Sequence, residues 1–177
     1  TNELAEIIIQ YSKLYGGNLL RNYSGSTIGS LILKDSELYT VNNKNGNGYL
    51  YIYSPQSETV IERNFFHNSG TIITYTSNGS IIVYIRNNVF NWTMETTNPR
   101  TYMEKTSAVV NINNPATCCP INITVQTIVQ YNTFINTDRV AVSIPNDYYD
   151  YGSMIATNNY WSTTDEEVIK SMIFDKN

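Results

Sequence analysis

Residues able to do chemistry are few and scattered in this sequence. His67 is its only histidine, and its two cysteines, Cys118 and Cys119, are adjacent, so a zinc site fails on ligand count. The cysteine pair has three outlets: a strained vicinal disulfide, two free thiols, or bonds to sulfurs of another chain. Six aspartates stand at positions 35, 138, 147, 150, 165 and 175. Polysaccharide cleavage needs paired carboxylates, or an acid cluster with a basic partner, and their spacing brings no two to equivalent points of the chain. No catalytic, cofactor or metal site is therefore expected. The densest polar–aromatic stretch is Asn146-Asp147-Tyr148-Tyr149-Asp150-Tyr151. Its phenols could stack on sugar rings and its carboxylates accept hydroxyl hydrogen bonds, and Tyr-rich loops serve protein contacts equally well. For calcium, Asp147 and Asp150 supply too few oxygens.

Four Asn-x-Ser/Thr sequons, at Asn22, Asn78, Asn91 and Asn122, are glycan acceptors if the chain is secreted. With 24 Asn in the chain, four sequons is no enrichment over chance.

The 177 residues suit one domain, 1–177, and only 15% of them are charged while 15 are Tyr. Net charge is -4, with no basic cluster to neutralise phosphates, so nucleic acid is not an expected partner. No apolar run approaches the roughly 18 residues that span a bilayer. The chain starts without Met or a signal-peptide pattern, and we expect it to be processed or excised. Low Lys with high Asn, Ser, Thr and Tyr leans toward a secreted, extracellular protein.

The elements that must position these residues emerge from a repeat. One pattern, aliphatic-x-x-(Ser/Asn)-x-(Leu/aromatic), occurs at Ile9–Leu14, Leu33–Leu38, Ile61–Phe66, Ile85–Phe90, Val129–Phe134 and Ile155–Tyr160. The start-to-start spacings are 24, 28, 24, 44 and 26, the 44 reading as two turns with a degenerate one around 109–114. Each copy follows alternating apolar positions, so each is a strand and the turn after it. Stacked coils give three columns: the aliphatic starts, the apolar ends, and between them Ser12, Ser36, Asn64, Asn88, Asn132 and Asn158. Stacked amides and hydroxyls there can pair turn backbone groups with the next coil.

These repeats resemble those of the pectate-lyase-like superfamily of right-handed parallel β-helices. The stretch Asn158-Asn159-Tyr160-Trp161-Ser162 is similar to an Asn-Tyr-Trp-Gly element that follows the last coils of many secreted β-helix proteins, with Ser162 in place of Gly. The resemblance implies an all-β, single right-handed parallel β-helix, which we expect to have about seven coils. Thr164 and Glu167 form a capping box for a short helix over 165–172, with Val168, Ile169, Met172 and Ile173 as its apolar stripe. Residues 4–15 also fit helical spacing, but the repeat favours a strand. Arg63 and Arg86 align, and Glu62 can pair with Arg86 across coils as a solvated wall contact.

The function expected is an extracellular structural or adhesive module, not an enzyme. Exposed strand edges favour self-association head to tail into a filament or surface layer, with Cys118 and Cys119 placed to cross-link neighbours. The competing expectation is a carbohydrate-binding or carbohydrate-active fragment using the 146–151 loop, with glycans as partners.

Overall fold

The computed structural model describes residues 6–16, 20–21, 29–39, 50–52, 57–67, 72–76, 82–91, 107–113, 127–144 and 153–175. They form an all-β parallel solenoid with three faces. The first face stacks β1 (Glu6–Gln10), β4 (Ser30–Lys34), β7 (Thr59–Glu62), β10 (Val83–Arg86), β13 (Thr127–Gln130) and β16 (Met154–Thr157) in that order. The second stacks β2 (Lys13–Tyr15), β5 (Glu37–Tyr39), β8 (Phe65–His67), β11 (Val89–Asn91) and β14 (Thr133–Phe134). The third stacks β3 (Leu20–Arg21), β6 (Leu50–Ile52), β9 (Ile72–Thr76), β12 (Ser107–Asn113), β15 (Val140–Ile144) and β17 (Ile173–Asp175). Each of the first five coils is three strands, and the sixth adds β16, β17 and, on the second face, an isolated bridge from Tyr160 to Thr133. Residues 6–10 and 13–15 are strands joined by a corner at Tyr11 and Ser12, which removes the helical alternative over those residues.

The stack is six strands deep at most, not about seven. The physical reason lies in the spacing of 44. β10 pairs directly with β13, Ile85 opposite Val129, so those 44 residues make one coil. The apolar run at 109–112 is the third strand of that coil, β12, and not a degenerate turn.

Register follows the repeat until its last copy. Ile9, Leu33, Ile61, Ile85 and Val129 stand opposite one another, as the aliphatic column requires. In the sixth coil, however, Val129 faces Ala156 and Ile155 turns outward, 37% exposed. The last copy is thus Ala156–Trp161, shifted one residue from Ile155–Tyr160. A one-residue slip exchanges every inward and outward side chain. Here the shift puts Trp161 on Phe134, ring centroids 5.1 Å apart, and leaves Tyr160 61% exposed. The larger ring with the greater apolar surface takes the interior.

The interior column is Leu38, Phe66, Phe90 and Phe134, each at most 2% exposed, flanked by Leu14 and Trp161. Parallel strands at about 4.8 Å spacing bring identical side chains into offset stacking range. The centroid separations are 4.7 Å for Phe66–Phe90 and 5.2 Å for Phe90–Phe134. After Trp161, helix α1 (Glu166–Ser171) leads into β17. Its N-cap is Asp165 rather than Thr164: the carboxylate accepts from the N–H groups of Glu167 (2.9 Å) and Val168 (3.3 Å). Met172 closes the helix fully buried and Val168 packs on the core, whereas Ile173, assigned to the same stripe, lies in β17 and is 41% exposed.

The register gives a direct prediction. Ile155→Lys should change stability by less than about 0.5 kcal/mol, the usual range for an exposed position. Ala156→Lys should cost several times more, because it turns a charge toward Val129 and Trp161. Urea denaturation of the two variants reads the difference, and the reverse order would restore the Ile155–Tyr160 register.

Candidate functional site

Among the described residues, polar and charged side chains gather at the corner between the first and second faces. After each first-face strand the backbone turns through one left-handed residue: Tyr11, Asp35, Arg63, Asn87, Tyr131 and Asn158, with φ of 50–57°. The next residue is the polar member of the repeat. Asn64 shows what it does. Its Nδ2 donates to the Leu33 carbonyl (2.9 Å) and to Asn88 Oδ1 (3.0 Å), while its own backbone N–H also donates to Asn88 Oδ1 (3.0 Å). Asn88 repeats this toward Ile61 and Asn132, and Asn132 toward Ile85 and Asn159. The ladder therefore ends on Asn159, through its bond to the Val129 carbonyl, and not on Asn158. Asn158 instead holds the left-handed position, a conformation Asn tolerates better than most residues.

At the first two coils the ladder continues with hydroxyls. The Ser12 N–H donates to Ser36 Oγ (3.1 Å), and the Ser36 N–H to Asn64 Oδ1 (3.1 Å). Each hydroxyl donates to the carbonyl two residues earlier, Gln10 or Lys34.

Beside this ladder lies the charge cluster anticipated at Glu62, Arg63 and Arg86. Glu62 is only 8% exposed, so it is more than a solvated wall contact. Arg86 Nη2 lies 3.1 Å and Lys34 Nζ 3.6 Å from Glu62 Oε2, and Arg63 also bonds the same carboxylate. Arg63 makes a second, two-pronged contact with Asp35, at 2.7 and 2.8 Å. Burial works against ionised Glu62, but the Arg86 hydrogen bond and the charges of Arg86, Arg63 and Lys34 outweigh it and hold its pKa below the ordinary value of 4.5. Asp35 is likewise lowered, chiefly by its hydrogen bond with Arg63.

The sign of the pH effect follows from linkage. A carboxyl whose pKa is lower folded than unfolded adds stability above its unfolded pKa and loses it as pH falls through the folded one. Stability should be flat from about pH 7 to 5 and then fall below about pH 4. Glu62→Gln should flatten part of that fall in denaturant titrations at pH 3 and pH 7. An unchanged slope would show that the cluster contributes nothing.

On the outer side of the second face, Tyr15, Tyr39 and His67 stack in adjacent coils, at 4.8 and 4.3 Å. Phe65 stacks on His67 at 3.9 Å. The Tyr39 hydroxyl donates to Glu37, and that bond, followed by burial, pushes the phenol up to about 12. Tyr39 correspondingly lowers Glu37, which also sits 3.4 Å from Lys13 and 3.5 Å from His67 Nε2. Sequence reasoning did not single out this stack. Its signal was present in Tyr15, Tyr39 and His67, each one residue beyond an apolar column position.

Of the other sites anticipated, Asn91 is at the end of β11, half-buried on the outward side, since Phe90 before it faces the core. Asn22, Asn78, Asn122, Cys118, Cys119, Asp147, Tyr148, Tyr149, Asp150 and Tyr151 lie outside the described residues. Among the described aspartates, Asp35 is at the corner, Asp138 follows β14, Asp165 caps α1 and Asp175 ends β17, so the structure brings none of them together. Among the described residues no three His, Cys, Asp or Glu side chains are grouped to hold a metal, and no helix is long and apolar enough to cross a membrane. Comparison with protein-family models, curated proteins and solved structures finds no match for the chain; the parallel solenoid expected from the repeat is what the structure shows, and no matching family supports the pectate-lyase-like superfamily or its C-terminal Asn-Tyr-Trp element.

Proposed function

We propose that this chain is an extracellular structural or adhesive module that stacks end to end into a filament or surface layer and performs no catalysis. One observation carries the reading. The exposed large apolar residues of the described chain are Ile8, Tyr11 and Tyr15 in the first coil, and Tyr131, Ile135, Ile155, Tyr160 and Ile173 in the last two. None lies in the middle coils. Apolar surface gathered at the two ends of a solenoid favours a further rung at each.

The ladder supports the same geometry, because its polarity repeats at every rung. Ser12 presents a hydroxyl oxygen at one end, the acceptor type that Ser36 supplies to Ser12, and the backbone N–H of Asn159 stands at the other. A second copy joined head to tail extends both the ladder and the Leu14-to-Trp161 column in register, a heterologous contact that propagates unless its rotation closes. The weak charge of the surface and the Asn, Ser, Thr and Tyr content support a place outside the cell, and Cys118-Cys119 would cross-link neighbours there. A polysaccharide lyase or hydrolase would need clustered titratable groups in a groove, and the charges found at the corner are already paired with one another.

Electron microscopy with sedimentation velocity over a concentration series, with and without reductant, tests the proposal. Rods lengthening with concentration in steps of about 29 Å, six rungs of about 4.8 Å, are the expected result. A monomer at every concentration overturns assembly. Turnover of a polysaccharide by the purified chain overturns the non-enzymatic reading.

A further inference from the structure

The left-handed corner position favours Asn and Gly, and two of its six occupants, Asn87 and Asn158, obey that rule. Asp35 is held there by Arg63, and Arg63 by Asp35 and Glu62. Tyr11 and Tyr131 have no such reason. Each carries a bulky side chain at φ 50° and 57°, a strained choice, and each projects into solvent, 82% and 58% exposed. The corner needs this backbone in every coil but does not need a tyrosine on it, and exposed side chains kept on such strained backbone concentrate where a surface binds something.

The two rings are also the right kind of surface. Tyr15, Tyr39 and His67 spend their faces on one another, whereas neither Tyr11 nor Tyr131 stacks with any described aromatic. They stand on the first and fifth rungs of one straight corner, about 19 Å apart at about 4.8 Å per rung. Between them lie Asp35, Arg63 and Asn87 in single file. Lys34, Arg63 and Arg86 face Asp35 and Glu62 and are paired with them, so the ridge offers hydrogen-bonding groups without a free block of charge.

From this geometry we infer that the corner ridge from Tyr11 to Tyr131 binds a linear, uncharged polysaccharide laid along the solenoid axis. The tyrosines take the apolar faces of two sugar rings, and the Asp35 carboxylate, Arg63 guanidinium and Asn87 amide between them take hydroxyls. A polyanion would meet cations already engaged. The inference deepens the adhesive side of the proposed function and rests on it. Glycan binding and end-to-end assembly have separate readouts, so the failure of one is distinguishable from the failure of the other.

The test is affinity electrophoresis of the full chain through gels holding a soluble β-glucan, a mannan, a xylan or polygalacturonate, at low and high salt. Retardation by at least one neutral polymer, unchanged by salt, is expected. Tyr11→Ala and Tyr131→Ala should each weaken it about 3- to 10-fold. Tyr11→Asn and Tyr131→Asn should weaken it likewise while raising Tm by about 2–4 °C, because Asn relieves the backbone. A lower Tm in the Asn variants would mean that the rings support the fold, and would overturn the inference. So would no retardation by any neutral polymer, retardation by polygalacturonate alone that salt abolishes, or a tyrosine-dependent doubling of mass without glycan binding, which would assign the ridge to a protein contact.

Discussion

Phe90→Ala is expected to lower stability by about 3–5 kcal/mol, the range for a buried aromatic truncated to alanine. Phe90 is 1% exposed and lies between two rings, Phe66 at 4.7 Å and Phe134 at 5.2 Å. Removing it leaves a gap that both neighbours line. They have little freedom to close it, because their strands are tied to β11 by backbone hydrogen bonds in fixed register. The site therefore collapses poorly, which places the cost toward the upper part of the range. For a chain of this length the loss corresponds to a fall in Tm of roughly 6–20 °C. A solenoid is quasi-one-dimensional, so weakening one interface also threatens cooperativity. Equilibrium unfolding in urea should show a lower midpoint, and a split transition if the first three coils separate from the rest. A loss under about 1 kcal/mol would show that the stacked column is not a main source of stability.

The coil was legible in the sequence because parallel stacking in register repeats the same environment at the same position. Ile61, Asn64 and Phe66 announce a coil, and Ile85, Asn88 and Phe90 confirm it. Three features escaped, each for a physical reason. The last copy offers two candidate anchors, Ile155 and Ala156, and hydropathy favours isoleucine, whereas the structure is decided three-dimensionally by Trp161 reaching Phe134 and Asn159 reaching Asn132. The coil count failed because a long coil and two short ones have the same length in sequence. Only the pairing of β10 with β13 distinguishes them.

The third is a polar cluster inside the solenoid. Asn111 Nδ2 donates to Thr74 Oγ1 (3.0 Å) and Thr127 Oγ1 (3.1 Å), two hydroxyls that are themselves 2.8 Å apart. Thr74 and Asn111 are register partners on the third face and Thr127 opens β13 on the first, each in a different coil, so the repeat spacing does not reveal the cluster. The corner was half legible. The ladder residues were visible as the constant Ser or Asn of the repeat, but the residue before each of them varies freely in type, and its common property is a backbone angle. That is why Tyr11 and Tyr131 carried no signal until the coils were stacked.

The ladder itself supplies the second large effect. Asn88 is 1% exposed, and its amide is fully used: Nδ2 donates to the Ile61 carbonyl and Asn132 Oδ1, and Oδ1 accepts from the backbone N–H and Nδ2 of Asn64. Asn88→Ala should cost about 2–5 kcal/mol, because it orphans the Ile61 carbonyl and two Asn64 donors in a buried turn. Asn88→Asp separates this account from one of mere volume, since the two side chains are nearly isosteric. The new carboxylate keeps the acceptor for Asn64 but turns an oxygen toward the Ile61 carbonyl and Asn132 Oδ1, where only a donor fits. Burial and those two oxygens both raise its folded pKa, so the variant should be penalised above the unfolded value of about 3.9 and relieved below it. Relative to the wild-type protein, Asn88→Asp should therefore be strongly destabilised at pH 7 and much less so at pH 3, opposite in sign to the effect expected from Glu62. Urea midpoints for both proteins at the two pH values give the measurement. An equal loss at both would mean that the corner reads the shape of the asparagine and not its hydrogen bonds.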